Sequence, residues 1–353
     1  MTTASDRPAV RVHGASDPEP TGAWARVLDA LGEARLGHAA EWLTVIRDAY
    51  RHDPLYLSTD DGAGGGGLLP AFVVRRPFFG TLVTSMPFLD SGGPCSSSPA
   101  LAEALVGRLL EEARAAGADV VEVRCARRLP IGALPAEHKV NLSLPLPSDP
   151  DGLWRQLDGG VRNQVRKAER SGLAVEFGGG ERLDDFYPLF ADRMHELGSP
   201  VHARRFLDAV FERFGGRARV VLVRKGATPI GGLVALAFKD ALVAPWASCL
   251  QEHFALCPNM LLYWETMRAA CREGFRRFDF GRSSRGSGTW RFKRQWGARE
   301  EPLFWYTIPI RPRRSDRAAE PARRAALIAG SWRRLPRALT RRLGPHVRRY
   351  LTQ

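Results

Sequence analysis

The sequence predicts an α/β (α+β) protein built from two copies of one unit with mixed, mainly antiparallel sheets, followed by a basic helical tail. Three observations support this prediction. Short apolar runs typical of strands alternate with amphipathic runs typical of helices. Two of the strand-like runs recur later in the chain at a nearly constant offset. Thirteen arginines crowd the chain from residue 311 onward.

The first half contains the elements of one α/β unit. Trp42, Val45, Ile46 and Ala49 share one face of a helix predicted over residues 40–50. A second helix is predicted from 99 to 116, because its apolar positions are periodic and Gly117 follows it. Apolar runs predict strands over residues 54–58, 68–74, 81–88, 120–124 and 139–144.

The second half repeats this alternation with more helices. Helices are predicted over residues 151–157, 161–171, 183–197, 204–214 and 258–274. Strands are predicted over residues 173–177, 218–224, 230–239, 242–248, 276–281 and 303–310. Gly172 ends one of these helices, and Pro258 opens the last, where its missing N–H is tolerated.

An internal repeat relates the two halves. Gly66–Val73 reads GGLLPAFV and Gly231–Phe238 reads GGLVALAF, at an offset of 165 residues. In each half another strand and a long helix follow, and then a glycine and a strand. These last strands, Gly117–Arg124 and Gly274–Gly281, are offset by 157 residues. The sequence therefore predicts two copies of one unit that differ by small deletions.

Length and charge divide the chain further. A chain of 353 residues with 44% hydrophobic residues favours two globular domains. Most of the net charge of +14 lies at the end, where thirteen arginines face only Asp316 and Glu320. We predict a disordered N-terminus over 1–22, a first domain over 23–150, a second domain over 151–310 and a basic tail over 311–353.

Several kinds of site and location are disfavoured. Five cysteines without CxxC spacing predict neither a disulfide framework nor a zinc site, and no histidine pair has metal-ligand spacing, so we expect no metal. Neither the GxSxG elbow nor the P-loop occurs in the sequence. No apolar run approaches the length of a membrane span, and the first residues lack an apolar signal core. We expect a cytoplasmic protein, or one attached to the membrane from that side.

The stretch from Arg276 to Ala298, RRFDFGRSSRGSGTWRFKRQWGA, is the strongest candidate for a functional site. It predicts a buried strand, a Gly/Ser/Arg loop and a short aromatic helix. Asp279 alternates with two phenylalanines and therefore faces away from them on the strand. The surplus of Arg and Lys around this carboxylate suits an anionic ligand. The alternative is an ordinary strand and loop whose arginines are solvated.

The order of elements in the second half, with three antiparallel strands between helices, resembles the GNAT acyltransferase fold. Two such units in tandem resemble the Fem peptidyltransferases, which move an amino acid from aminoacyl-tRNA onto a cell-wall precursor. The segments LVTSMPFLDSGG, HKVNLSLPL, VRNQVRKAERSGL and FKRQWGA are similar to segments of FemAB-related proteins associated with exosortase and exopolysaccharide loci. The resemblance covers residues 38–310.

This resemblance implies acyl transfer to an amine or hydroxyl. Lys293 matches the Lys of the Fem FK motif, which is implicated in stabilising the donor ester. Asp279 ranks first as the group that takes the acceptor's proton, ahead of Glu265 and His253. A substrate phosphate could also serve as the base.

Other residues are expected to bind substrate. We expect contacts from Arg162, Arg166, Lys167, Arg282, Arg291, Asn259 and Trp290. The basic helix that holds the first three could instead be a solvated surface. Likewise, Asp279 could be an ordinary structural carboxylate that pairs with Arg282 or Arg277.

The sequence leaves more than one donor and more than one acceptor open. The resemblance implies aminoacyl-tRNA as donor, with acyl-CoA or an acyl carrier protein as the alternative, and no tightly bound cofactor. Ser248–Met260 contains no glycine-rich loop to cradle the pyrophosphate of acyl-CoA, which argues against an ordinary acetyl-CoA enzyme. The implied acceptor is a lipid-linked or glycan precursor of the cell envelope or of an exopolysaccharide. A third alternative is a catalytically idle precursor-binding subunit of a polysaccharide-assembly complex.

The tail predicts a helix in a membrane interface. Its apolar residues recur every three or four positions with arginines between them: Ile328, Trp332, Leu335, Leu339, Leu343, Val347 and Leu351. We therefore expect binding to an anionic membrane surface at the inner leaflet. Pro336 and the Gly344–Pro345 pair predict two or three short segments. tRNA binding and a disordered tail are the alternatives.

Overall fold

The computed structural model describes residues 8–14, 22–60, 65–77, 79–311 and 329–352. These residues form two compact units. Residues 8–139, 302–311 and 350–352 belong to the first unit, and residues 140–301 and 329–349 belong to the second. Each unit is built around a seven-stranded sheet with helices packed against it. In the described part of the chain, no helix combines the length and the apolar character needed to span a bilayer.

The α-helices, in chain order, are α1 (Ala23–Ala30), α2 (Glu41–Tyr50), α3 (Pro99–Ala115), α4 (Pro150–Gln156), α5 (Gly159–Arg170), α6 (Leu183–Glu196), α7 (Arg204–Phe214), α8 (Pro258–Arg272), α9 (Gly288–Arg294) and α10 (Arg337–Arg348). The strands are β1 (Arg11–His13), β2 (Asp53–Asp60), β3 (Gly66–Arg76), β4 (Gly80–Ser85), β5 (Cys95–Ser96), β6 (Val120–Cys125), β7 (Lys139–Pro145), β8 (Leu173–Gly178), β9 (Ala218–Lys225), β10 (Thr228–Phe238), β11 (Ala241–Cys249), β12 (Arg277–Ser284), β13 (Arg299–Pro302) and β14 (Phe304–Pro309).

The first unit has the strand order β1-β2-β3-β4-β6-β14, with β5 paired to β3. Neighbours from β1 to β4 are antiparallel, whereas β4 and β6 are parallel and α3 connects them in the chain. Helix α3 begins at Ser98, whose hydroxyl accepts the Leu101 N–H, and Pro99 occupies the first position. Its buried leucines pack against Val121 and Val123 of β6.

The second unit has the strand order β13-β7-β12-β11-β10-β9-β8. Strands β8 to β11 are antiparallel, and β11 runs parallel to β12 after the crossover helix α8. One face of the sheet packs on α8, and Met267, Phe278 and Phe280 are buried in the same core cluster. The two repeated sequences occupy equivalent strands, β3 with β10 and β6 with β12. The expected tandem α/β fold is confirmed.

Three placements differ from our expectation. We expected the strand near residue 303 to close the second unit, but β14 pairs antiparallel with β6 in the first sheet. We expected β7 to complete the first unit, but it lies between β12 and β13 in the second sheet. Arg11–His13, within the N-terminus that we expected to be disordered, pairs antiparallel with β2. Strands β1 and β7 alternate polar and apolar residues, whereas β14 reads FWYTIP and is mostly apolar. Neither pattern specifies which strand a segment will pair with.

The tail is helical as expected, and the aliphatic side of its last helix is exposed. Residues 312–328 lie outside the described residues. A helical stretch over 329–334 precedes α10, and Pro336 separates the two as predicted. Pro345 does not divide α10 further. The buried face of α10 carries Thr340, Gly344 and Arg348 rather than the aliphatic stripe.

Candidate active site

The most distinctive place in the second unit is where β11 and β12 stop pairing. Their described register covers three residue pairs and ends at Val243 and Asp279. Strand β11 nevertheless continues to Cys249 and β12 to Ser284. Two parallel strands that part in this way leave their backbone and inner side chains available to a ligand.

Asp279 lies at this point, on the face of the sheet opposite α8. Phe278 and Phe280 on either side of it pack into the α8 core, so the carboxylate faces away from that core. Asp279 is 8% exposed and accepts a hydrogen bond from the amide of Asn141 on β7, at 3.0 Å. Its other oxygen accepts the Gly281 N–H at 2.8 Å. The carboxylate is therefore buried and held by two donors.

Lys293, on α9, contacts the same part of β12. Its Nζ donates to the carbonyl oxygens of Gly281 (2.9 Å) and Arg282 (2.8 Å). Only 8% of Lys293 is exposed. The short helix α9, capped at Ser287, turns the side chain back toward the end of β12, where two carbonyl groups stabilise the ammonium.

More polar side chains line the same face of the sheet. Ser143 on β7 donates to Glu301 at 2.8 Å, and both Asn141 and Ser143 are buried. Ser283, two positions beyond Gly281, is buried, and among the described residues its hydroxyl has no hydrogen-bond partner. Our sequence reasoning missed all of these residues except Asp279. The alternation in KVNLSLP was the available signal, since its polar residues are buried rather than solvated.

The arginine-rich loop after β12 is held by its own contacts. Glu300 accepts hydrogen bonds from Arg285 Nε (3.0 Å) and from the indole N–H of Trp290 (2.9 Å). The hydrogen bond from Arg285 is the largest cause that lowers the pKa of Glu300. Arg291 is exposed and donates to the Gly286 carbonyl at 3.1 Å. Trp290 and Arg291 lie on α9 with Lys293, and Arg282 lies on β12.

The basic helix α5 lies elsewhere. Its apolar residues pack with α8, so the sheet separates it from Asp279. Arg166 and Lys167 are exposed and Arg162 is half-buried, and none of the three makes an ion pair with the described residues. Arg166 stacks over the Trp154 ring at 5.4 Å. The structure therefore does not bring these cations together with Lys293 and Asp279.

The start of α8 carries Asn259 and lacks a phosphate cradle. Cys257 has φ 57°, Pro258 has no N–H, and the Met260 N–H donates back to the Cys257 carbonyl at 3.0 Å. Few backbone donors are left there for a pyrophosphate. Further along α8, burial raises the pKa of Glu265, which pairs with Arg268 at 2.9 Å. His253, in the 3-10 turn before α8, faces Glu252 at 3.4 Å.

The equivalent place in the first unit is filled by the chain itself. Strands β4 and β6 also pair over three residues, Leu82–Thr84 with Val120–Glu122. The Arg124 carbonyl, which corresponds to that of Gly281 through the offset of 157, accepts the N–H groups of Gly92 (3.1 Å) and Gly93 (2.7 Å). A side chain at Gly93 would meet the Cys125 sulfur at 2.5 Å. The DSGG loop therefore occupies the gap, and glycine is required there.

The face of the first sheet opposite α3 contains a small cavity of about 150 Å³. It is lined by Glu122, Arg124, Ala136, His138, Trp305, Tyr306 and Thr307. The guanidinium of Arg124 lies over Trp305 at 4.7 Å and pairs with Glu122 at 3.0 Å. It also donates to the Thr352 carbonyl at 2.7 Å, so the end of the described chain is anchored on this buried arginine. Among the described residues, no cluster of side chains forms a metal site.

Comparisons with known proteins agree with this fold. The acetyltransferase (GNAT) domain family matches residues 157–294, which include α5 to α9. The crystal structure of FemX has a TM-score of 0.63 at 14% identity, and the alignment covers 81% of this chain and 95% of that one. No curated protein matches the chain significantly.

Two further solved structures have the same fold. The C-terminal domain of a protein described as a lysylphosphatidylglycerol synthetase, from Agrobacterium fabrum, has a TM-score of 0.54 at 13% identity, with 81% of this chain and 91% of that one covered. A tandem GNAT protein from the clavulanic acid biosynthesis pathway has a TM-score of 0.51 at 10% identity, with 86% and 100% covered. Residues 157–294 therefore match a GNAT acetyltransferase domain, and the chain as a whole has the fold of FemX and of the tandem GNAT protein.

Proposed function

We propose that this protein transfers an aminoacyl or acyl group to an amine or hydroxyl of a lipid-linked or glycan precursor of the cell envelope or of an exopolysaccharide. The reaction takes place in the second unit, at the gap between β11 and β12. One observation carries this proposal: the gap in the second unit carries a buried carboxylate, whereas the DSGG loop fills the gap in the first.

Asp279 is the proposed proton acceptor. The acceptor's nitrogen or oxygen attacks the donor carbonyl, and its proton passes to the carboxylate. The bond from the carbonyl carbon to the leaving oxygen or sulfur then breaks, and the carboxylic acid returns the proton to that leaving atom. Asn141 and the Gly281 N–H hold the carboxylate in one orientation. Such pre-organisation fixes the distance over which the proton must move.

Lys293 is proposed as a positioning residue for the same site. Because its ammonium donates to the Gly281 and Arg282 carbonyls, it holds the backbone that carries the Asp279 contact. Its positive charge also lies beside the carbonyl that becomes an oxyanion, as the FK resemblance implies. Arg282 on β12 and Trp290 and Arg291 on α9 are proposed to contact the donor.

Aminoacyl-tRNA is the proposed donor. The start of α8 lacks a glycine loop, and Pro258 removes one of its N–H donors, which disfavours the pyrophosphate of acyl-CoA. Arg166 and Lys167, which are exposed, and the half-buried Arg162 supply a cationic surface on α5 suited to an RNA backbone beyond the reacting centre. The described function of the Agrobacterium fabrum relative, synthesis of an aminoacylated lipid, is consistent with this choice. Acyl-CoA is the second candidate, since the matched family is named for acetyl transfer.

The acceptor is proposed to be presented at the cytoplasmic face of the membrane. The tail over residues 329–352 carries seven arginines and no acidic residue, which favours proximity to anionic lipid. An enzyme held there would meet a lipid-linked precursor without having to extract it from the bilayer.

A transfer assay tests the function and the donor together. Radiolabelled aminoacyl-tRNA or acyl-CoA is incubated with the full chain and an extract of lipid-linked precursors, with and without RNase. We expect label to enter the lipid phase from aminoacyl-tRNA only, and RNase to abolish the transfer. Transfer from acyl-CoA that resists RNase would identify the second candidate. Absence of transfer from both donors, despite binding of the precursor, would instead indicate an idle binding subunit.

A further inference from the structure

Helix α10 is oriented with its aliphatic side outward. Leu339, Leu343 and Val347 follow one another at four-residue intervals, so they form one stripe along the helix. Their exposed fractions are 39%, 40% and 38%. In most helices of a globular protein such a stripe is the buried side.

Polar contacts fix this orientation. The Thr340 hydroxyl lies 3.1 Å from Nδ1 of His195, and Arg348 Nε donates to Nε2 of His202 at 3.1 Å. Gly344 lies so close to Val201 that an added Cβ would be 3.1 Å from its side chain and backbone. These contacts hold the side of α10 that lies about 100° round the axis from the stripe. The helix therefore cannot rotate its leucines inward without losing them.

The surroundings of the stripe are cationic. Arg342 and His346 are exposed and lie three positions from Leu339 and Leu343 respectively, hence on the adjoining side of the helix. Arg333 and Arg334, on the preceding helical stretch, are also exposed. Asp192 is a carboxylate that faces α10, where it pairs with Arg341 at 2.7 Å and lies 3.9 Å from Arg337.

We propose that this tail surface, Leu339, Leu343 and Val347 with Arg342 and His346 beside them, docks on an anionic phospholipid bilayer. The leucines and valine enter the region between head groups and acyl chains, and the arginines contact lipid phosphates. A second copy of this chain fits poorly, because it would bring two cationic surfaces together. RNA would neutralise the arginines but leave the aliphatic stripe in water.

The membrane contact rests on the proposed function in one respect: it would place the active site beside a lipid-linked acceptor. Vesicle binding requires neither donor nor acceptor. A failure of binding and a failure of transfer are therefore separate results.

Vesicle flotation of the full chain tests the proposal. Vesicles of phosphatidylcholine alone are compared with vesicles that contain about one third phosphatidylglycerol. The aliphatic variant is Leu339→Gln/Leu343→Gln/Val347→Gln, and the charge variant is Arg333→Gln/Arg334→Gln/Arg342→Gln. Leu134→Gln, at a leucine that is 89% exposed in the first unit, is the matched control. Thermal melts establish that each variant is folded.

We expect the wild-type chain and Leu134→Gln to float with the anionic vesicles and not with the neutral ones. Each tail variant should weaken binding about tenfold or more. Undiminished binding by the aliphatic variant would overturn the proposal, as would equal loss in Leu134→Gln. The proposal would also be overturned if the wild-type chain formed a dimer in the absence of vesicles and the aliphatic variant did not. A second copy would then cover the stripe.

Discussion

Asp279 and Lys293 hold the same residue, Gly281, from two sides. The Asp279 carboxylate accepts the Gly281 N–H at 2.8 Å, and the Lys293 ammonium donates to the Gly281 carbonyl at 2.9 Å. Gly281 has φ 71°, a conformation that residues with a side chain rarely adopt. A carboxylate and an ammonium thus fix one left-handed residue within β12, and the chemistry proposed for this site depends on its position.

Lys293→Met should lower stability and turnover together. The substitution keeps the apolar stem but leaves the buried Gly281 and Arg282 carbonyls without their charged donor, at a cost of roughly 2 to 3 kcal/mol. Urea unfolding measures this change, with Lys225→Met at an exposed lysine as the control. Full stability in Lys293→Met would show that the two hydrogen bonds contribute little. This expectation differs from that for an exposed lysine, whose loss would affect turnover alone.

Asp279→Asn should abolish most of the transfer while the protein stays folded. The amide has nearly the same shape but cannot take a proton, so we expect a rate about 100- to 10,000-fold lower. Ser283→Ala, on the same buried face, is the control and should retain activity. Single-turnover transfer across a pH series measures both. A full rate in Asp279→Asn would assign the proton to another group, such as a substrate phosphate.

Gly93→Ala should destabilise the first unit. The new methyl group would lie 2.5 Å from the Cys125 sulfur and 2.9 Å from the Arg124 carbonyl oxygen, so the loop must move, at a cost of about 1 to 3 kcal/mol. Gly107→Ala in α3, where an added Cβ meets nothing within 4 Å, should be neutral or stabilising. Denaturant midpoints of the two variants compare them directly. Equal midpoints would contradict the tight packing of the DSGG loop.

His202 should make the fold less stable as pH falls. Burial, with a smaller contribution from the neighbouring Arg348, holds the pKa of His202 well below its usual value. The unfolded chain takes up a proton on His202 near pH 6.5 and the folded chain does not. The free energy of unfolding therefore decreases as pH falls below that value. Each unit below it costs about 1.4 kcal/mol, until the folded pKa is reached.

Urea unfolding at pH 7.5 and pH 5.5 measures this effect. His202→Gln keeps an acceptor for Arg348 but cannot titrate, so it should lose less stability than the wild-type chain over the same interval. The other histidines titrate in both proteins, and the comparison removes their contribution. Identical losses in the two proteins would show that His202 is protonated in the folded state.

The sequence by itself determined the elements and their duplication. Period-two alternation placed Asp279 away from Phe278 and Phe280, and the recurrence of GGLLPAFV as GGLVALAF revealed two equivalent sheets. These features are local, because strand faces and helix faces follow from the spacing of apolar residues along a short segment. The resemblance carried by FKRQWGA and the neighbouring segments then indicated the acyltransferase fold.

The tertiary structure alone decided three other features. Strands β7 and β14 lie in the sheets that we did not predict for them, because a strand's own pattern does not encode its partner. Lys293 is buried because two carbonyl oxygens from β12 compensate its charge. The sequence of α9 does not indicate that these carbonyl groups lie nearby. The spacing of apolar residues in α10 predicted an aliphatic stripe but not whether the stripe faces the protein or the solvent. Thr340, Gly344 and Arg348 find specific partners on the second unit, and those contacts turn the leucines outward.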